Sequence, residues 1–393
     1  MKKLNNIEVK KITLVVSVIV FTVVNAIHAQ DLSNNTFGKG IKIMAKDSSF
    51  YMKASMRFQT LYNGEMNLGT DEWNDNVMIR RARLKFNGFV YNPKVEYKVE
   101  LAVSNRDNGK IAPESNAAAS IVLDAVLKYK FAPNWQLWFG QTKLPGNRER
   151  VISSQALQFV DRSQLNSKYN IDRGTGVQLR GKQKLGDFVV KEAGAVTMGE
   201  GRNFTKSNIG GYEFTGRVEL LPFGEFSSKG DYFGSDLKRE KSPKLAIGVT
   251  YDQNNSTTRK NGFKGDFLSE SRNQNTVFVD AMFKYQGFST MFEYADKKTD
   301  ESAVLLDGTF YQTGTGTNVQ VGYLFNNNLE FAARYTGIKP ENNNWSDDYS
   351  EMTLGMSRYI VGHNLKVQSD ITYVDHDIDD DMYRVRLQVE LAF

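Results

Sequence analysis

The chain has 393 residues, with 50 Lys and Arg against 45 Asp and Glu, 40% hydrophobic and 12% aromatic residues, 32 Gly, 7 Pro and no Cys. Lack of cysteine excludes disulfide frameworks, thiolate metal sites and cysteine nucleophiles, and the aromatic and glycine content favours strands and tight turns over disorder. Of the formal net charge of +5, the first 29 residues supply +3 through four Lys and one Glu, so the remainder is near +2 and gives no reason to expect nucleic acid as a partner.

Residues 1–29 read as a secretory signal peptide. Lys2, Lys3, Lys10 and Lys11 precede the apolar run Ile12 to Val24, and Ala26 and Ala29 stand just before Gln30 and Asp31. The run is too short to span a bilayer, and the small residues mark a cleavage site. A short N-terminal segment over 30–49 follows. No later stretch is apolar for about 18 residues, so a second route across a membrane would have to be a closed barrel, in which neighbouring strands satisfy every backbone polar group.

From residue 50 the apolar residues recur with period two. Strands are expected over 50–62, 77–92, 94–104, 120–132, 134–141, 174–183, 187–198, 209–222, 242–252, 275–285, 288–296, 316–325, 329–338, 350–360, 363–374 and 382–393. In the second, Ala82, Leu84, Phe86 and Val90 face one way and Arg81, Arg83, Lys85 and Asn87 the other, with a turn at Asn92-Pro93. The muddled alternation of 187–198 suggests a bulge. Val277, Val279, Ala281, Phe283 and Tyr285 turn at Gln286-Gly287 into Phe288, Thr290, Phe292 and Tyr294, a tight hairpin. At the end, Tyr383, Val385, Leu387, Val389, Leu391 and Phe393 alternate with Arg384, Arg386, Gln388 and Glu390. An aromatic last residue suits an interfacial girdle.

Sixteen strands is an even number, as an outer-membrane barrel requires. The connections near 93, 133, 184–186, 286–287, 326–328 and 361–362 are short, and those between them mostly long. This is the order expected when short turns face the periplasm and long loops the exterior. Segment 223–241 breaks the rule by being long where a turn is due. The expected architecture is therefore all-β: a 16-stranded antiparallel transmembrane β-barrel of the porin type over residues 50–393.

A barrel of this size leaves an aqueous channel. On the strand parity, Arg57, Arg81, Arg83, Lys85, Lys94 and Lys98 point inward, opposed by Glu96, Glu100 and, further on, Asp280. The longest connection, 142–173, is the third extracellular loop. With the strand after it, it carries Lys143, Arg148, Arg150, Arg162, Lys168, Arg173, Arg180 and Lys182 against Glu149, Asp161 and Asp172. Folded inward, such a loop constricts the pore with positive charge, a device for passing anions or phosphate; left outside, its charges would be solvated or meet lipopolysaccharide phosphates.

Ile79-Arg80-Arg81-Ala82-Arg83-Leu84 with Gly88, Phe139-Gly140-Gln141-Thr142-Lys143-Leu144-Pro145 followed by Arg148-Glu149, Phe159 to Ser163, Asp172-Arg173-Gly174 with Gly176, and Leu221-Pro222-Phe223-Gly224-Glu225 resemble the phosphate-selective porins O and P. The resemblance implies a 16-stranded outer-membrane barrel, often trimeric, with an inward third loop and a basic lumen that conducts anions, phosphate or polyphosphate in some members. It singles out Lys143 and the cluster Arg80, Arg81 and Arg83. With parity and loop charge, the expected pore-lining set is Arg57, Arg80, Arg81, Arg83, Lys85, Lys98, Lys143, Arg148, Arg150 and Arg173. Conduction would be passive and needs no cofactor; the expected partners are outer-membrane lipid, lipopolysaccharide, small anions and two further copies of the chain.

Two alternatives compete. Tyr51, Trp138 and other aromatics would suit a sugar or general-solute channel, although most aromatics fall outward or near turns. A barrel enzyme would need His363, placed on the penultimate strand, or His376 in Asp375-His376-Asp377, yet no nucleophile stands near. The acidic run Asp375, Asp377, Asp379, Asp380 and Asp381 lacks the Gly and distal Glu of a calcium loop and reads as solvated.

Overall fold

A computed structural model describes residues 37–108, 121–204, 211–341 and 348–393. The proposed signal peptide, with the start of the N-terminal segment, lies outside the described residues.

Among the described residues seventeen strands form one sheet: β1 (Ile41–Met44), β2 (Phe50–Asn67), β3 (Trp73–Val90), β4 (Asn92–Ala102), β5 (Val122–Ala132), β6 (Trp135–Lys143), β7 (Arg173–Leu185), β8 (Phe188–Thr197), β9 (Glu213–Leu221), β10 (Lys244–Arg259), β11 (Phe267–Tyr285), β12 (Phe288–Thr299), β13 (Gly314–Leu324), β14 (Leu329–Pro340), β15 (Tyr349–Val361), β16 (Leu365–His376) and β17 (Met382–Ala392). Each strand from β2 to β17 pairs with the next, and β17 returns to β2 from Met382↔Asn67 to Ala392↔Arg57. The barrel is closed, antiparallel and 16-stranded, as the alternation predicts. β1 is an addition that four residues were too few to reveal. It pairs with Tyr51 to Ala54 of β2 just beyond Phe393, whose backbone bonds Met56, and so continues the seam where β17 runs out.

The barrel is inverted relative to a soluble protein. In β9, Glu213, Thr215, Arg217 and Glu219 are buried, whereas Phe214, Val218 and Leu220 are exposed on the outer wall. That outer wall is apolar because lipid, not water, is its solvent. Several strands run past their expected ends, β2 to Asn67 and β10 to Arg259, because the paired ladder continues into polar sequence where alternation gives no signal. Two expectations fail locally. β8 keeps unbroken register with β7 and β9, so it holds no bulge; its alternation is blurred because small Ala193 and Ala195 occupy inward positions. The first tight turn sits on Tyr91, at φ 68°, and Asn92-Pro93 already belong to β4. Gln286 and Gly287, at φ 47° and 88°, do form the expected hairpin turn, which needs positive φ at both positions. Gly140 has φ 126°, and a Cβ there would stand 2.2 Å from the Ala125 carbonyl oxygen, so the close β5–β6 contact requires glycine.

Two segments fold into the lumen. Loop 3, residues 144–172, lays Leu144, Leu165, Tyr169 and Ile171 against Phe278, Ala295 and Ile338 of the wall, and Ile152, Ala156 and Leu157 against Met282 and Met291. These inward apolar residues, unexpected in an aqueous lumen, seat the loop on the β11–β14 side. The second is the anomalous connection 223–241, which enters from the short-turn end. Lys284 donates to the carbonyl oxygens of Gly230, Phe233 and Ser235 at 2.9, 2.8 and 2.8 Å, and the Gly234 amide reaches Ala156 of loop 3 at 2.8 Å. The strand count was right, and the long turn is an insertion that packs inside.

Candidate functional site: a basic lumen beside loop 3

With loop 3 seated on the far wall, open space remains along the N-terminal strands. A cavity of about 250 Å³ at the short-turn end is lined by Lys53, Arg57, Arg83, Lys85, Lys98, Lys143 and Arg173, with Glu100 the acidic side chain among them. Six of the ten expected residues therefore converge on one space, although they come from β2, β3, β4, β6 and β7. Period two is the reason: neighbouring strands in register bring alternate side chains to one face.

Convergence does not leave these charges equally free. Arg57 pairs with Glu390 at 3.3 Å and Ser154 at 2.6 Å. Arg83 bonds Glu100 at 3.0 Å and Asp107 at 2.5 Å. Lys98 lies 2.9 Å from Glu100 and 2.8 Å from Asp124, which also takes Arg173 at 3.2 Å. Lys143, expected to face the passing ion, instead donates to the carbonyl oxygens of Arg150, Val151 and Ile152 at 2.7, 3.3 and 3.0 Å. It caps the C-terminal end of the one-turn helix Arg148–Val151, where unpaired carbonyls attract a cation. Lys85 differs: among the described residues it has no hydrogen-bond or ion-pair partner, and it faces the cavity. Lys53, missed by the parity reading, shares that position.

The remaining four residues hold loop 3. Arg80 and Arg81 both bind Asp161, Arg150 pairs with Asp172, and Arg148 is fully buried with Asp280 at 2.8 Å. Arg80 would face lipid under strict alternation. It turns inward because Gln59 pairs with Arg81 and Thr60 with Ile79, which leaves Arg80 as the extra residue of a bulge. Burial by itself would raise the carboxyl pKa of Asp161, but Arg81 and Arg80 outweigh it and hold the group well below the ordinary carboxylate range. Arg150 and Arg173 do the same for Asp172 against its burial.

A second cavity of about 800 Å³ opens between β4–β9 and segment 223–241, with Lys128, Trp138, Arg180, Lys191 and Tyr232 in its lining. Of these, only Trp138 and Arg180 stood out in the sequence, one as a possible stacking residue and one as part of a charge surplus.

The residues of the enzyme alternative do not assemble. His363 lies in the turn before β16 rather than on the strand, between Phe233 and Tyr359, each ring 5.3 Å away. His376 stacks on Tyr349 at 5.1 Å. Asp381 accepts from Tyr373 at 2.7 Å and from the His376 amide at 3.1 Å, and among the described residues no group of three His, Cys, Asp or Glu is set to hold a metal.

The family model of phosphate-selective porin O and P matches residues 52–385. The chain belongs to this family. Among solved structures, its fold is similar to the outer membrane channel DcaP of Acinetobacter baumannii, at 16% identity and TM-score 0.53, covering 89% of this chain and 99% of that one. It is also similar to OmpT, an outer membrane protein of Vibrio cholerae, at 10% identity and TM-score 0.53, covering 87% and 98%. No curated protein sequence matches the chain significantly. Family and fold together support an outer-membrane channel.

Proposed function

We propose that this porin passes small anions, phosphate-type oxyanions among them, by passive diffusion through a basic lumen narrowed by loop 3. The observation that carries the reading is the cavity beside loop 3, lined by seven basic side chains, of which Lys53 and Lys85 make no ion pair among the described residues. Paired arginines fix the walls, so they need no reorganisation when an ion passes. Uncompensated lysines in a confined, low-dielectric space then raise the local anion concentration. Lysine presents a point charge and arginine a fork suited to oxyanions; several weak sites in series let an ion enter and leave. No cofactor takes part. Export by cleavage of residues 1–29, contact with lipopolysaccharide and assembly as a trimer complete the proposal.

The test is the reversal potential of purified channels in a planar bilayer under a salt gradient. Anion preference that weakens in Lys85→Glu supports the reading. Cation preference in the parent, or equal permeation of neutral sugars and anions, refutes it in favour of a general-solute channel.

A further inference from the structure

Trp138 points into the lumen from β6, between outward-facing Leu137 and Phe139. The register places Lys128 of β5 directly opposite it, and Arg180 of β7 opposite Gln136 on its other side. Cations from both neighbouring strands thus reach the same indole. Lys128 Nζ lies 4.0 Å from the ring centroid and Arg180 Cζ 4.3 Å. The indole Nε1 donates to Gln136 at 3.0 Å, and Arg180 donates to the Gln178 side-chain oxygen at 3.1 and 2.7 Å. Every one of these anchors is neutral.

That neutrality distinguishes the pair from two other cations lining the same cavity. Lys191 is paired with Asp231, and Arg217 with Glu219 and Asp280. Glu96 stands across the β4–β5 ladder from Lys128, but among the described residues no ion pair joins them. A ring quadrupole holds a cation in place without cancelling its charge, whereas a carboxylate does both.

We propose that Lys128 and Arg180, spaced by Trp138, form a binding subsite for small oxyanions of the carboxylate or phosphate type, separate from the ion-paired arginines around loop 3. This deepens the anion-diffusion reading and rests on it. Trp138 is the positioning residue: it keeps two like charges apart and aimed at one space, while N–H groups of Arg180 not used by Gln178 remain for a ligand.

The local anion concentration can be read from Trp138 itself, because the chain has four tryptophans and the other three, Trp73, Trp135 and Trp345, can be replaced by Phe. In that form, iodide should quench Trp138 fluorescence, and Lys128→Gln with Arg180→Gln should lower the iodide quenching constant about two- to three-fold while leaving quenching by neutral acrylamide unchanged. Inorganic phosphate and acetate, added as competitors, should each reduce iodide quenching, and their ranking distinguishes the two oxyanion classes. Separately, in the otherwise native chain, Trp138→Leu should reduce anion preference in the bilayer and Trp138→Phe should retain it. Iodide quenching that ignores the double substitution, no competition by either oxyanion, or equal behaviour of the Leu and Phe variants would overturn the subsite. A parent channel without anion preference would instead overturn the reading on which it rests. Heat-modifiable gel mobility checks that each variant is folded.

Discussion

Arg80 and Asp161 meet in the lumen 81 positions apart, with Arg80 Nε at 3.0 Å and its terminal nitrogen at 2.7 Å from one carboxylate oxygen, while Arg81 takes the other oxygen at 2.9 Å. Consecutive residues of a regular strand face opposite ways. A bulge at Arg80 makes both face inward and turns an Arg-Arg pair into a clamp on loop 3.

Asp161→Asn should therefore release part of the loop. It leaves two arginines facing a neutral amide, at a cost of about 2 to 4 kcal/mol, somewhat below that of a fully buried pair because Asp161 keeps some solvent contact. The expected outcome is larger or noisier single-channel conductance and faster proteolysis within 144–172. A variant with parental conductance and protease resistance would show that the clamp does not hold the loop.

The same pairing fixes the acid response of the loop. Because the Asp161 and Asp172 carboxyl pKa values are depressed in the folded state, their stabilisation is complete above the ordinary value near 3.8 and is lost only as pH falls through the lower folded value. Loop 3 should stay docked from pH 7 to about 4, measured by hydrogen exchange of its amides. Progressive deprotection already between pH 6 and 5 would contradict this.

Lys85 and Lys143 should separate selectivity from architecture. Lys85 makes no hydrogen bond or ion pair among the described residues, so Lys85→Glu is expected to shift the reversal potential strongly, with only a small loss of thermal stability from facing Glu100 across the ladder. Lys143 grips three carbonyls of loop 3, so Lys143→Met should destabilise the loop, by about 1 to 3 kcal/mol for the unsatisfied carbonyls, and act on selectivity mainly through the altered constriction. Equal shifts in both variants would undo the distinction.

Lys284 plays the corresponding part for the inserted turn. Lys284→Met removes three hydrogen bonds to Gly230, Phe233 and Ser235 from a fully buried position. Segment 223–241 should then become cleavable by trypsin at Lys229, Lys238 or Arg239 in the folded barrel. Resistance equal to the parent would mean that the Ser235 hydroxyl, which donates to Glu330 at 2.6 Å and also meets the Tyr359 hydroxyl, suffices to hold it.

His363 makes that same segment sensitive to acid. Burial first, and then the charges of Lys366 and Lys284, push its imidazole well below 6.5. A depressed base resists protonation while docked, so docking is unpenalised above about pH 6.5 and weakens as pH falls below it. Corrected for the intrinsic slowing of amide exchange in acid, the protection of 226–240 should fall from pH 7.5 to 5 in the parent and change less in His363→Phe, which keeps the packing against Phe233.

The closed barrel, its strand number and the gathering of most short connections at one end could be read from the sequence alone. Alternation with period two is local: each strand records which of its faces meets lipid, and sixteen such records with alternating connection lengths leave one topology. Lys85 was legible in this way, as were Arg57, Arg83 and Lys98 as inward residues. Tertiary structure decided which of those charges remain available. The partners lie far off in the chain, as with Arg57 and Glu390 or Arg148 and Asp280, and a strand's own pattern carries no trace of them. The bulge that turned Arg80, the apolar seat of Phe278 and Met282, and the insertion of 223–241 were hidden for the same reason: each is set by what packs across the lumen, and not by neighbours along the chain.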